Sequence, residues 1–82
     1  MAYYVDFIDG EVGYKTLTEA RKAAIREYNG AMGEFYSSID IYPNRRTNKP
    51  SGYVERRGKD FIYVSYAKRT IIKLNRDGTE KN

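Results

Sequence analysis

From Ala2 to Asp9 the chain alternates. Tyr3, Val5 and Phe7 fall on one side of an extended backbone, and Tyr4, Asp6 and Ile8 fall on the other. The uncharged set is the core-facing one, and Asp9-Gly10 supplies the turn that ends the strand. The period then changes. Leu17, Ala20, Ala24, Ile25 and Tyr28 recur at helical spacing, behind a Thr16-x-x-Glu19 capping box in which the threonine oxygen accepts from an early helical amide and the glutamate reaches back to the cap amide. This pattern predicts a helix over 17–29, with Arg21, Lys22, Arg26 and Glu27 on its flanks and Gly30 as its terminator. Two alanines in the stripe predict close packing of the helix on a sheet.

After Gly33 the period returns to two. Phe35, Ser37, Ile39 and Ile41 alternate with Tyr36, Ser38, Asp40 and Tyr42, a half-buried strand that Pro43 ends. Residues 43–51 hold no apolar side chain other than proline and read as a loop carrying Arg45, Arg46 and Lys49. A hairpin follows, roughly 52–56 and 60–66, turning at Arg57-Gly58-Lys59. In its second strand Ile62, Val64 and Tyr66 face one way and Phe61, Tyr63 and Ser65 the other. A last strand over 70–75 sets Ile72 and Leu74 in register. Asp77-Gly78 is a turn, and 79–82 reads as a frayed tail. The expectation is one α+β domain over 1–82, ordered strand, helix, then four strands, with one amphipathic helix packed on a mostly antiparallel sheet.

Composition narrows the chemistry. The chain has no cysteine, so disulfides and thiolate metal sites are excluded, which suits a reducing cytoplasm. It has no histidine, the side chain most used for general acid–base work. No apolar run is long enough to span a bilayer, and no basic segment leads into an apolar stretch at the start. The reading is a soluble cytoplasmic protein. Tyrosine appears nine times, which turns attention to contact surfaces.

The charge map is lopsided. Residues 1–42 carry four basic and seven acidic groups, net −3, and residues 43–82 carry eleven basic and four acidic, net +7. A basic half points to an anionic partner, or serves only as a solvated face. The densest acidic cluster, Asp6, Asp9 and Glu11, has oxygen ligands of the kind magnesium and calcium prefer. It is equally a plain turn beside a solvent-facing strand position, and EF-hand spacing is not matched. No metal and no cofactor is expected. A small ribonuclease of the bacterial toxin type works with basic and tyrosine side chains, but such toxins place two helices before the sheet and this chain has room for one. The helix-turn-helix, RNA-recognition and double-stranded-RNA-binding motifs each need more helix than is present. The reading is therefore a binding protein and not an enzyme.

With one helix on one face, the other face of the sheet meets water or a partner. Tyr4, Tyr36, Tyr42, Phe61 and Tyr63 are assigned to it, with Lys73 nearby. Aromatics beside cations stack bases and neutralise phosphates, and tyrosine is equally typical of protein interfaces. Alternatively each ring simply caps a core edge. In a meander successive turns alternate between sheet ends. The 43–51 loop and the 68–69 turn then share one end and the 56–59 turn lies at the other. The candidate docking set is Tyr42, Arg45, Arg46, Lys49, Tyr53, Tyr63, Lys68 and Arg69.

The opening Tyr4-Val5-Asp6-Phe7-Ile8-Asp9-Gly10, followed by Lys15-Thr16-Leu17-Thr18-Glu19-Ala20, resembles short accessory proteins of phages and other mobile elements. These include anti-CRISPR inhibitors and other counter-defence factors. The resemblance covers about a quarter of the chain and carries over no functional residue. It implies a small non-catalytic protein that occupies a surface on a host protein or nucleoprotein complex that handles nucleic acid. Many such inhibitors are acidic nucleic-acid mimics, and the basic C-terminal half departs from that pattern. Direct DNA or RNA binding by that half is the alternative, and a toxin-type ribonuclease the third reading.

Overall fold

The computed structural model of the chain describes residues 2–43 and 49–81. The strands are β1 (Tyr3–Phe7), β2 (Gly10–Tyr14), β3 (Ile39–Tyr42), β4 (Gly52–Arg57), β5 (Asp60–Ser65) and β6 (Thr70–Leu74). Among the described residues one helix, α1 (Leu17–Tyr28), follows β2, and a single 3-10 turn spans Gly33–Phe35. The strands form one sheet in the order β2-β1-β3-β4-β5-β6, with every neighbour antiparallel. The fold is α+β, with α1 on one face of the sheet.

Local chemistry explains most of these elements. Thr16 Oγ1 accepts from the Glu19 amide at 3.1 Å, and Glu19 Oε2 accepts from the Lys15 amide at 3.2 Å. The return bond of the capping box thus lands one residue upstream of the cap. The helix lays Ala20, Ala24, Ile25 and Tyr28 onto Val5, Ile39, Ile41 and Val54, all of them buried. Each large aliphatic side chain so buried contributes about 1.5–3 kcal/mol. Leu17, at the first turn, is only partly buried against this core.

The strand order differs from the sequence expectation by one element. Gly10–Tyr14 is a strand, so the order is strand, strand, helix, then four strands. It pairs with β1 through Val5–Val12 and Asp6–Glu11, yet Gly10 to Gly13 are all exposed. An edge strand with two glycines and little to bury leaves almost no hydrophobic period to read. The expected strand from Phe35 is also shorter, because Gly33 packs on the Tyr28 backbone where a Cβ would overlap the Tyr28 carbonyl. The chain makes a 3-10 turn there, and Phe35 is left exposed.

The second hairpin strand is turned over relative to expectation. Phe61, Tyr63 and Ser65 face the helix, while Ile62, Val64 and Tyr66 lie on the opposite side. The register on β4 sets this facing: Tyr63 stands opposite Val54, which is buried on the helix side, so Phe61 and Ser65 share that side. Phe61 lies 5.9 Å from the Tyr28 ring, and Tyr63 lies under Arg21. Arg21, expected on a helix flank, is buried instead.

The segment after β6 does not fray. The Asn75 amide donates to Thr79 O at 2.8 Å, and the Lys81 amide donates to Lys73 O at 2.8 Å. The turn depends on Gly78, whose φ of 88° suits glycine and whose missing Cβ would strike Thr18 O and the Lys22 amide. Residues 79–81 therefore run back beside β6 and under the start of α1.

Candidate functional site

Among the described residues, the candidate docking residues divide between the core, the open sheet face and one sheet end. Arg45 and Arg46 lie outside the described residues. Tyr63 is a core residue and not a contact residue: its ring is buried, and its hydroxyl shares a 3.1 Å hydrogen bond with Ser51 Oγ. Lys49, Lys68 and Arg69 are exposed at one end of the sheet. That end is tied together by Ser51, whose amide and hydroxyl both donate to Ile41 O at 2.8 and 3.0 Å and whose carbonyl accepts from the Tyr66 amide at 3.0 Å. The return of the 43–51 loop is thus fixed to β3 and to the end of β5. A cleft of about 400 Å³ opens there between Arg21, Pro43, Ser51, Tyr63 and Lys68.

Tyr36 also leaves the open face. Its hydroxyl donates to Glu27 Oε2 at 2.8 Å and accepts from the Ile8 amide at 2.9 Å, and its ring meets Tyr28 edge-on at 6.0 Å. It closes the helix side. Phe61 and Tyr63 face the core. Tyr4, Tyr42, Tyr53 and Lys73 lie on the open side, joined by Tyr66.

The sheet register orders this open face. One row crosses it from edge to edge: Glu11 opposite Asp6, then Asp40 opposite Tyr53, Tyr53 opposite Val64, and Val64 opposite Ile71. The row runs from carboxylates through a tyrosine to aliphatic side chains. Tyr4 and Tyr42 form a second, facing pair, and the rings of Tyr53 and Tyr66 lie 5.7 Å apart. Ile71 is 59% exposed, while Ile62, between Glu55 and Lys73, is buried by its neighbours.

Electrostatics concentrate on Asp40. Burial, and next the Asp6 carboxylate, push its carboxyl above the usual range. The Tyr42 hydroxyl is raised by burial and then by Asp40, Asp6 and Glu11; that of Tyr66 is raised by burial and then by Asp40. Like charges directly opposite across strands destabilise a sheet. A cationic group beside Asp40 would relieve the cost that burial and Asp6 impose on its charged form. Among the described residues, no three His, Cys, Asp or Glu side chains come together to hold a metal ion.

The alternation of tyrosine with aspartate in residues 3–7 and 39–42 was the available sequence signal for this surface. Its extension across Val64 and Ile71 depended on the facing of β5, which periodicity alone does not choose. No helix among the described residues is long and apolar enough to cross a membrane. Comparison of the chain with protein-family models, with curated proteins and with solved structures finds no match.

Proposed function

We propose that this chain is a non-enzymatic binding protein that docks on a basic protein surface through the open face of its sheet. The observation that carries the reading is the graded row from Asp6 through Asp40 and Tyr53 to Val64 and Ile71. A lysine or arginine of the partner placed beside Asp40 meets carboxylates and tyrosine rings together, and both attract a cation. Tyr42, Tyr53 and Tyr66 give large contact area at low entropy cost, and Val64 with Ile71 gives a dry flank. Proteins that handle nucleic acid display such basic surfaces. The reading therefore accommodates an inhibitor of the anti-CRISPR or counter-defence kind, acting in the cytoplasm of a host cell by covering the partner's nucleic-acid path.

The test uses Asp6→Lys with Tyr42→Ala, in a variant that keeps the wild-type melting temperature. A partner captured by the wild-type chain is expected to bind this variant at least tenfold more weakly, about 1.4 kcal/mol. Unchanged affinity for that partner removes the open face from the interface.

A further inference from the structure

The two predicted basic surfaces at the loop end are joined by a third at the opposite end of the sheet. The β4–β5 hairpin brings Arg56, Arg57 and Lys59 there, and β6 ends beside them with Lys73. The turn through Asn75 and Thr79 adds Arg76, and the returning segment adds Lys81, whose amide is anchored on Lys73 O. All six side chains are exposed. Three shallow clefts meet around Phe61. The first takes Arg56, Lys59 and Arg76, the second Lys59, Arg76 and Lys81, and the third Arg57, Lys73 and Lys81.

Few carboxylates oppose these cations. Glu55 is paired with Arg57 at 2.7 Å, and Asp60 lines two of the clefts. Asp77 accepts from the amide and hydroxyl of Thr79 within its own turn. Arg56 is partly occupied as well, donating to Tyr28 O at 3.4 Å at the end of α1. Lys59, Lys73, Arg76 and Lys81 remain as cations directed at solvent from three chain segments.

We propose that this end of the molecule docks on the phosphate backbone of double-stranded nucleic acid. The surface supplies charge and little else. Phe61 and Tyr28, the rings nearest to it, are 6% and 3% exposed, so no platform is offered on which unpaired bases would stack. Phosphate contacts of this kind position a protein on a duplex without reading its sequence. This surface borders the open sheet face at Ile71 and Lys73, and the substitutions that test it leave both in place, so its failure is distinguishable from failure of the open-face reading.

The experiment is fluorescence anisotropy with a short labelled DNA duplex and its single strand, titrated from about 50 mM to about 200 mM salt. Four contacted phosphates predict a slope of log affinity on log salt of about −3 to −4, with the duplex preferred and sequence immaterial. Lys59→Glu with Arg76→Glu, both at exposed positions, is expected to lower duplex affinity at least tenfold. Lys68→Glu with Arg69→Glu, at the other end, is expected to lower it less than twofold. The proposal is overturned by the absence of duplex binding at the lowest salt, by a preference for the single strand, or by equal loss in the two double variants. Competition by polyglutamate as effective as by duplex also overturns it, and marks the surface as one for acidic proteins.

Discussion

The guanidinium carbon of Arg21 lies 4.3 Å from the centre of the Tyr63 ring, between the helix and the sheet. Arg21 is 5% exposed, and its Nε has no hydrogen-bond partner. Burial draws its pKa below the ordinary arginine value. The residue therefore stabilises through its stem and its stacking on the ring, against the cost of a desolvated charge. Arg21→Ala is expected to cost about 2 kcal/mol, whereas Arg21→Met, which keeps the volume and removes the charge, costs less than half as much. Urea melts of the two variants distinguish these contributions. Equal losses would show that the charge, and not the stem, holds the ring.

Tyr28 joins the helix to the sheet, its hydroxyl donating to Val54 O at 3.2 Å. Burial first, and then the Glu55 carboxylate, raise its pKa from 10.0 to about 12. The folded state keeps this proton longer than the unfolded chain does. The resulting stability is full below pH 10 and is lost as pH rises towards 12, by up to about 1.4 kcal/mol per pH unit. Tyr28→Phe removes this hydrogen bond and costs about 1 kcal/mol at neutral pH. Denaturant melts between neutral pH and pH 12 should show the gap between wild type and variant narrowing above pH 10. A constant gap would contradict burial of the hydroxyl.

Asp40 titrates with the same sign as Tyr28, but starting from the ordinary carboxylate value. Its raised carboxyl pKa means that the folded state binds the proton more tightly than the unfolded chain. The stability linked to that proton is present below the unfolded value near 3.8 and is lost as pH rises through the folded value. Asp40→Asn should therefore stabilise the protein at neutral pH by roughly 0.2–1 kcal/mol, the scale of a like-charge cross-strand pair. The gain should vanish in acid. Thermal melts at the two pH values provide the check, and destabilisation at neutral pH would show that Asp40 is held by a favourable contact.

The helix and the hairpin were legible because they are strongly periodic and carry local signals. Thr16 and Glu19 mark one helix end, and the Gly58 turn marks the hairpin. Three features were not legible. Strand β2 buries almost nothing, so Glu11 and Val12 give no periodic signal. The facing of β5 depended on its register against β4, which sets Tyr63 opposite the buried Val54. The return of residues 79–81 depended on a close approach of Gly78 to the helix backbone that no local pattern announces. These last two decided the functional reading, because one moved Val64 and Tyr66 to the open face and the other brought Arg76 and Lys81 to the hairpin end.

Among the described residues, carboxylates gather on β1 and β3 and cations around Phe61, two poles of opposite sign that the formal charge of +4 does not convey. The molecule extends 32 × 29 × 19 Å, whereas at physiological ionic strength charges are screened over about 8 Å. Its two poles therefore act independently in a cell. In dilute buffer they act together, and a charged partner is turned towards the matching pole before contact. Encounter rates should then fall steeply with added salt while dissociation changes little, because orientation is a property of the approach and not of the bound state.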